Sequence, residues 1–305
     1  MARHFLIGNE LTGEELDALL RRALELKADP LCSRALAGQA VALVFERPST
    51  RTRVSFEVGV AELGGAALVL RPDELQLSRG ESPRDTALVL SRHVAAIGLR
   101  TGPHALLEEL ARYASVPVFN MLTAEHHPCQ PLADLLTMRE RFGPLAGLKL
   151  AYVGDGNNMA RSLAVLGTLA GVDVAVASPA AYALQRSSVP LSAEAQGSLT
   201  LHEDPREAAA GAHVLYTDVW VSMGDEDTAA ERRELLAPYR VDEGLLALAD
   251  PEAIVLHCLP AHPGEEISAE LLYGERQRIW DQAENRRHAQ KALLELLLGA
   301  AIVSQ

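Results

Sequence analysis

Short runs of apolar and β-branched residues alternate with amphipathic stretches along almost the whole chain. Such runs are typical of buried parallel strands, and the stretches between them have the spacing of helices. The pattern predicts two series of strands. The first comprises residues 41–45, 67–70, 95–99 and 116–119, and the second comprises 149–153, 173–177, 198–201, 213–217 and 253–256. The chain is therefore predicted to be an α/β protein with two doubly wound parallel-sheet domains.

Helix signals fit between these strands. Thr12 and Glu15 form a capping-box pattern that predicts a first helix through about residue 27. Further helices are expected to begin near residues 51, 84 and 104, to cover 131–142, and to close the chain over 282–298.

The turn-rich segment 143–147 separates the two series. We predict one domain over 1–143, with a C-terminal helix over 283–305 that packs back on it, and a second domain over 144–282. The active site is expected in the cleft between the domains, closed by the C-terminal helix.

Composition narrows the class of protein. The 305 residues are 48% hydrophobic and 23% charged, with a net charge of −13. Such an acidic chain argues against nucleic acid or an anionic membrane as a partner, so any anionic substrate must meet a local basic pocket. No apolar run approaches the ~18 residues of a membrane span, and the N-terminus lacks a secretory segment. Three distant cysteines, Cys32, Cys129 and Cys258, suggest neither a disulfide framework nor a zinc knuckle. We expect a cytoplasmic location.

The segment between the first strand and its helix carries the strongest chemical signal. Ser49, Thr50, Arg51, Thr52 and Arg53 form a hydroxyl-rich turn that opens a helix. Unpaired first-turn amides, the helix dipole and forked guanidinium groups together favour a phosphate. An ordinary capped helix with solvated arginines is the alternative interpretation.

Other candidate residues follow the predicted strands, where parallel sheets bind ligands. Arg100 follows the third strand, and His127 and Gln130 follow the fourth, within His-Pro-Cys-Gln. Each has an ordinary structural interpretation when taken alone, as a surface arginine or a buried histidine.

The second domain offers a different set. Gly-Asp-Gly-Asn-Asn at 154–158 invites a dinucleotide-binding interpretation, but Met159 replaces the third glycine and the match is weak. Asn157 and Asn158 fit a zwitterionic ligand or a simple Asx turn. Asp218 offers a carboxylate to a cationic ligand, and Ser222 and Met223 follow it in a turn-forming run.

The last strand ends in His-Cys-Leu-Pro, which places the Cys258 thiol at the carboxyl edge of the sheet. A buried, inert cysteine is the alternative. His257, Cys258 and His262 also resemble a metal cluster, but nothing nearby in the sequence supplies a further ligand, so we expect no metal. Arg286, near the start of the last helix, is expected to reach back toward the site or to face water.

Five motifs that follow one another along the chain indicate a specific family. They are Phe-Glu-Arg-Pro-Ser-Thr-Arg-Thr-Arg at 45–53, His-Pro-Cys-Gln at 127–130, Asp-Val-Trp-Val-Ser-Met-Gly at 218–224, His-Cys-Leu-Pro at 257–260 and Gln-Ala-Glu-Asn-Arg at 282–286. Over nearly its whole length the chain resembles the ornithine carbamoyltransferases, a branch of the aspartate/ornithine carbamoyltransferase superfamily. The resemblance implies transfer of a carbamoyl group from carbamoyl phosphate to L-ornithine, giving citrulline and phosphate, in arginine metabolism.

The resemblance also implies roles for matching residues. Carbamoyl phosphate would be held by Ser49, Thr50, Arg51, Thr52, Arg100, His127, Gln130, Cys258, Leu259 and Arg286. Ornithine would be held by Asn158, Asp218, Ser222 and Met223. The implied catalytic residues are Arg51, Arg100, His127, Asp218 and Cys258, with Cys258 either accepting a proton or orienting the amino acid. The family needs no metal and no organic cofactor.

The family also implies a homotrimer, or a multiple of trimers, in which segment 75–81 of the neighbouring subunit reaches the site and brings Gln76. Leu88, Met121 and Arg161 depart from the usual pattern, and Pro263 is expected to stiffen a loop near ornithine. Rival interpretations are a carbamoyltransferase for N-acetylornithine, putrescine or aspartate, a catalytically silent protein on the same scaffold, and a nicotinamide oxidoreductase.

Overall fold

The computed structural model describes residues 2–76, 80–222, 224 and 226–299. Compact packing divides the chain into one unit of Met1–Leu136 with Glu284–Gln305 and a second unit of Thr137–Ala283. The predicted domain limits, with a boundary between residues 143 and 144, remain a prediction.

The first unit is built on a parallel sheet, and its described strands follow the order β2-β1-β3-β4. The strands are β1 (Ala40–Phe45), β2 (Ala66–Leu70), β3 (Ala96–Arg100) and β4 (Val118–Leu122). The helices that alternate with them are α1 (Gly13–Ala28), α2 (Thr50–Glu62), α3 (Pro83–Leu90), α4 (His104–Tyr113) and α5 (Cys129–Phe142). Thr12 and Glu15 form the predicted capping box at the start of α1.

The second unit repeats the design with described strands in the order β7-β6-β5-β8-β9. The strands are β5 (Lys149–Val153), β6 (Asp173–Ala177), β7 (Leu199–His202), β8 (Val214–Thr217) and β9 (Ile254–His257). The helices are α6 (Asn158–Leu169), α7 (Pro205–Ala209), α8 (Ala229–Leu236), α9 (Glu243–Leu246) and α10 (Ala269–Tyr273), and α11 (Ile279–Leu297) returns the chain to the first unit.

All described strand pairs are parallel, which confirms the predicted fold of two doubly wound sheets. In each sheet the strand order reverses once, between β1 and β3 in the first unit and between β5 and β8 in the second. A crevice opens at such a reversal, at the carboxyl ends of the two strands, and ligands bind there. The topology therefore indicates one candidate site edge in each unit.

The predicted elements agree with the observed ones except at some ends. Helix α11 begins at Ile279, before the predicted residue 282. The Gln277 Oε1 atom accepts a hydrogen bond from the Ile279 amide at 2.8 Å and so caps the helix, although glutamine is not a usual cap residue. The helices within the described ranges are too short or too polar to cross a membrane.

The residues that depart from the usual family pattern, or that were expected to stiffen a loop, occupy different environments. Met121 is fully buried in β4, whereas Leu88 on α3 is 43% exposed. Arg161 donates from Nε to the Ser188 hydroxyl at 3.3 Å. Pro263 forms a short parallel bridge with Ile267.

Candidate active site

Helix α2 begins after a short turn at the carboxyl end of β1. Ser49 caps it, because the Ser49 hydroxyl accepts a hydrogen bond from the Thr52 amide at 3.3 Å. The first turn contains no acidic residue, and it carries Arg51 and Arg53. First-turn amides, the helix dipole and these guanidinium groups all favour an anion, so this helix start is suited to a phosphate.

Arg286 on α11 joins α2 to α5. Its Nη1 atom donates to Oε1 of Gln130 at 2.8 Å, and its Nη2 atom donates to the Thr52 hydroxyl at 2.9 Å. The Gln130 Nε2 atom donates to Oδ1 of Asp134 at 2.9 Å, which fixes the orientation of the amide. All four residues are buried. Three residues predicted for the phosphate substrate therefore lie together in the first unit.

His127 is buried in the same cluster. Burial lowers the pKa of His127 well below its usual 6.5, and the nearby positive charges of Arg286, Arg100 and Arg51 lower it further. The imidazole is therefore neutral at neutral pH, and it can donate one hydrogen bond without adding a fourth positive charge.

Arg100 ends β3 directly opposite Phe45, the last residue of β1. The Arg100 carbonyl accepts a hydrogen bond from the Glu46 amide at 2.9 Å, and the Thr101 hydroxyl donates to Oε2 of Glu46. Glu46 was not singled out from the sequence. Its contacts fix the turn that leads to Ser49 against the end of β3.

Asn120, which follows the fourth predicted strand, was given no role from the sequence. It is fully buried, and its Nδ2 atom donates to the Leu6 carbonyl at 2.8 Å. The Thr123 hydroxyl accepts a hydrogen bond from the His126 amide at 3.1 Å in the turn that precedes His127. An asparagine directly after an apolar run was the available signal, because such a residue needs buried partners.

Cys129, in the His-Pro-Cys-Gln motif, is fully buried and its thiol donates to the Asn120 carbonyl at 3.2 Å. Burial raises the pKa of the Cys129 thiol to about 12, despite the opposing effect of Arg286. The thiol therefore stays protonated and serves as a structural group in this motif.

In the second unit, Asp218 and Cys258 lie side by side. They directly follow Thr217 and His257, which are paired in β8 and β9. The Cys258 thiol donates to Oδ1 of Asp218 at 2.8 Å, and the Val219 amide donates to the same oxygen at 2.8 Å. The structure thus brings together the predicted carboxylate and the predicted thiol.

Asn157 completes this group. Its Nδ2 atom donates to Oδ2 of Asp218 at 3.0 Å. Asn158, which the sequence favoured, is the first residue of α6, and Asn157 is the residue that caps this helix. The cap signal was visible in the sequence, but the contact with Asp218 depends on the adjacency of β5 and β8.

The backbone at His-Cys-Leu-Pro is held by a buried histidine. His257 Nδ1 accepts a hydrogen bond from the Leu259 amide at 2.8 Å, so Nε2 carries the proton toward Oε1 of Glu266, 3.0 Å away. Leu259 has a φ of +61°, a left-handed conformation that is costly for a leucine and typical of functional sites. The predicted ligand Leu259 thus has a fixed backbone.

Asp218, His257 and Cys258 offer ligand atoms within 4.8 Å of one another, so Asp218 is a further possible ligand that was not expected from the sequence. The group nevertheless fits a metal poorly. Both ring nitrogens of His257 are engaged, which leaves no imidazole lone pair to bind an ion.

The segment after Asp218 is anchored at both ends. Trp220 is almost fully buried. Arg232 on α8 donates from Nη1 to Oδ2 of Asp155 at 2.7 Å, and its guanidinium lies 4.5 Å from the centre of the Tyr182 ring. Ser222 is half-buried between these anchors. Met223 lies outside the described residues.

Gln76, predicted to act from a neighbouring subunit, is exposed in the first unit. Residues 77–79 of that predicted segment lie outside the described residues. The described chain therefore contains two groups of candidate residues. One surrounds the start of α2 in the first unit, and the other surrounds Asp218 in the second.

Comparison with known families matches two domain models to the chain. Residues 3–140 match the carbamoyl-P binding domain of aspartate/ornithine carbamoyltransferase, and residues 146–297 match its Asp/Orn binding domain. The chain belongs to the aspartate/ornithine carbamoyltransferase family. This membership confirms the resemblance inferred from the five motifs.

Individual members of the carbamoyltransferase family are similar over nearly the full length. The chain is 56% identical to an ornithine carbamoyltransferase of Acidothermus cellulolyticus, covering 99% of the chain and 98% of that relative. It is 50% identical to an ornithine carbamoyltransferase of Methanoculleus marisnigri, covering 100% of the chain and 99% of that relative. A solved ornithine carbamoyltransferase from Pyrococcus furiosus superposes with a TM-score of 0.93 at 46% identity, covering 98% of this chain and 97% of that one.

Proposed function

We propose that the chain transfers the carbamoyl group of carbamoyl phosphate to the δ-amine of L-ornithine, giving L-citrulline and phosphate. The observation that carries the proposal is the set of hydrogen bonds from Arg286 to Gln130 and Thr52 at the start of α2. Thr52 and Gln130 lie in the residues that match the carbamoyl-P binding domain, and Arg286 belongs to the same compact unit. The names of the similar proteins, which are ornithine carbamoyltransferases, support the choice of acceptor.

Carbamoyl phosphate would be held mainly by the first unit. Ser49, Thr50, Arg51 and Thr52 are assigned to the phosphate, because the first-turn amides and a guanidinium suit a dianion. Arg100, His127, Gln130 and Arg286 are assigned to the rest of the substrate, together with Leu259 and Cys258. Gln76 of a neighbouring subunit is proposed to complete the phosphate site.

Ornithine would be held by the second unit, through Asn158, Asp218, Ser222 and Met223. The carboxylate of Asp218 suits an ammonium group of the amino acid. In this structure Oδ1 of Asp218 accepts from the Cys258 thiol. We propose that the thiol releases this proton to solvent when an ammonium of ornithine binds Asp218, which leaves a thiolate beside a positive charge.

The reaction needs a neutral amine, because an ammonium has no lone pair. An amine with a lysine-like pKa of ~10.4 must therefore lose a proton before it attacks. Cys258 is proposed to accept this proton, and its contact with Asp218 supports the assignment. The bond between the amine nitrogen and the carbonyl carbon then forms, and the bond between that carbon and the phosphate oxygen breaks.

Negative charge develops on two groups during transfer. The carbonyl oxygen becomes an oxyanion, for which Thr52, Arg100 and neutral His127 are proposed as donors. The departing phosphate gains charge and would be met by Arg51 and the start of α2. Nothing in this sequence of steps requires a metal or an organic cofactor.

We also propose an assembly state and a cellular role. We infer a homotrimer, or a multiple of trimers, for which the exposed apolar side chains Val54 on α2 and Leu68 on β2 are available surface, at 53% and 44% exposure. A cytoplasmic role in arginine metabolism fits the three free cysteines. Light scattering of the purified protein and cell fractionation test these two points.

A product assay tests the reaction itself. Carbamoyl phosphate is offered with ornithine, N-acetylornithine, putrescine and aspartate in parallel, and each ureido product is quantified. N-acetylornithine is included because a similar solved structure, at 33% identity, is an N-acetyl-L-ornithine transcarbamylase. Turnover of ornithine alone is expected. Preference for another amine would overturn the acceptor assignment, and no turnover would indicate a catalytically silent protein.

A further inference from the structure

Asn157 has a fixed orientation in the second unit. Its Oδ1 atom accepts hydrogen bonds from the amides of Met159 and Ala160 at 2.8 and 3.3 Å, as the cap of α6. The Tyr152 hydroxyl donates to the same oxygen at 3.2 Å. With the oxygen held by these donors, only the amide nitrogen is available to Asp218.

Tyr152 is itself immobilised. It is fully buried in β5, and its ring stacks on that of Tyr216 in β8 at a centroid distance of 5.9 Å. Burial raises the pKa of the Tyr152 hydroxyl well above its usual value, and the charges of Asp218, Asp155 and Cys258 raise it further. The hydroxyl therefore remains a proton donor to Asn157.

The fixed Asn157 amide in turn holds Asp218. Its Oδ2 atom receives the Asn157 amide, and its Oδ1 atom receives Val219 and the Cys258 thiol. A donor on Oδ2 withdraws charge from the carboxylate and fixes its plane, so Oδ1 faces the sulfur in one geometry.

We propose that Asn157 is a positioning residue for the ornithine half of the reaction. Tyr152 holds Asn157 in place, and Asn157 orients Asp218 and so eases formation of a thiolate at Cys258. This inference rests on the proposed function, since it assigns a task within that site. Asn157 itself touches no reacting atom in this scheme. The competing explanation is that Asn157 only caps α6.

Two substitutions separate these explanations. Asn157→Ser keeps a cap oxygen but loses the donor to Asp218, and Asn157→Asp keeps the cap oxygen but places a second carboxylate beside Asp218. Tyr152→Phe removes only the hydroxyl that orients Asn157. A residue that serves as a cap alone would tolerate Asn157→Ser and Asn157→Asp.

Steady-state citrulline formation is the first readout. Loss of one hydrogen bond to a charged group predicts a fall of about 10-fold in kcat/KM for ornithine in Asn157→Ser, and about 100-fold or more in Asn157→Asp. The KM for carbamoyl phosphate is expected to stay within about twofold, because its proposed binding residues lie mainly in the other unit. Tyr152→Phe should show a smaller loss of about threefold in the same parameter.

Alkylation of the unliganded protein by iodoacetamide is the second readout. Cys258 is half-buried and Cys32 is exposed, so modification of Cys32 in the same molecules serves as an internal standard. The Cys258 rate relative to Cys32 is expected to fall in Asn157→Ser and to fall further in Asn157→Asp, since an added carboxylate disfavours a thiolate.

Matched controls lie elsewhere in the second unit. Asp242→Ser changes the cap of α9, and Gln185→Glu adds an exposed negative charge. Both should keep wild-type kinetics and alkylation. Wild-type values in both Asn157 variants, or equal losses for the two substrates, would overturn the positioning role. Failure of the proposed function is a separate result, in which the wild-type protein forms no citrulline while the alkylation ratio still depends on residue 157.

Discussion

Arg286 and Thr52 are joined by a hydrogen bond of 2.9 Å although 234 positions separate them in the chain. The bond connects the last helix to the first turn of α2, and the second nitrogen of the same guanidinium reaches Gln130. One planar side chain therefore fixes two elements that carry candidate residues, which a flexible ammonium cannot do in the same way.

Arg286→Lys is accordingly expected to damage use of carbamoyl phosphate. Lysine retains the charge but cannot hold both acceptors in the forked geometry, so we expect kcat/KM for carbamoyl phosphate to fall about 10- to 100-fold. Steady-state kinetics with each substrate varied in turn measure the effect. Arg21→Lys, at an exposed position of α1, is the matched control. A rise confined to the KM for ornithine would contradict the assignment.

Much of the fold could be predicted from the sequence because buried parallel strands appear as short apolar runs. The run at 149–153 was predicted with its exact limits, and the Thr12 capping box was visible as local chemistry. Strand order could not be predicted in this way. It depends on packing between distant segments, and it is the adjacency of β5 and β8 that brings Asn157 to Asp218.

The same limit applies to the candidate site. Ser49 and Arg51 were visible because a hydroxyl cap and first-turn arginines are local signals. The contacts of Glu46 and Asn120 could not be predicted, since their partners, Thr101 and Leu6, are far away in the chain. Residues that bind a ligand directly tend to carry a motif, whereas residues that hold them in position are recognised only by their contacts.

The contact between Cys258 and Asp218 predicts a selective defect. Cys258→Ala removes the proposed proton acceptor, so citrulline formation should fall at least ~100-fold. Most of the loss should be in kcat/KM for ornithine. Binding of carbamoyl phosphate, measured by calorimetry without ornithine, should be retained, because most of its proposed ligands lie in the first unit. Cys32→Ala, at an exposed cysteine, is the control. Unchanged kinetics in Cys258→Ala would refute a chemical role for the thiol.

Burial of His127 predicts a loss of stability in mild acid. Its folded-state pKa lies well below 6.5, so as the pH falls below about 6.5 the unfolded chain takes up a proton that the folded chain does not. The free energy of unfolding should therefore decrease as the pH falls from about 7 to 5, by up to ~1.4 kcal/mol per pH unit for this group. Burial also lowers the pKa of His288 and of His4, so both add to the same slope.

Urea unfolding at several pH values measures this slope in the wild-type protein and in His127→Gln. The variant should lose part of the pH dependence while the contributions of His288 and His4 remain. An identical slope in the two proteins would mean that folding does not lower the pKa of His127, and the structural reason for treating it as a neutral donor would be refuted.

Lys291 provides a last prediction, about stability alone. This lysine is fully buried on α11, and its Nζ atom donates to the carbonyls of Leu26 and Pro30 at 3.2 and 3.1 Å and to Oε2 of Glu62 at 2.5 Å. Lys291→Met removes the donor and leaves these acceptors without it, so we expect a loss of about 3 kcal/mol in the free energy of unfolding. Urea unfolding provides the measurement.

The partner of Lys291 allows a sharper test. Glu62→Gln combined with Lys291→Met should be less destabilised than the sum of the single variants, because part of the cost in Lys291→Met comes from a Glu62 carboxylate that has lost Lys291 and keeps the Arg287 guanidinium at 3.3 Å. Arg21→Met breaks the exposed pair with Asp17, whose side chains are 60% and 50% exposed, and should cost no more than ~0.5 kcal/mol. Equal losses in Lys291→Met and Arg21→Met would show that the buried lysine contributes no more than a surface pair, and that α11 is held to α1 and α2 by its apolar contacts.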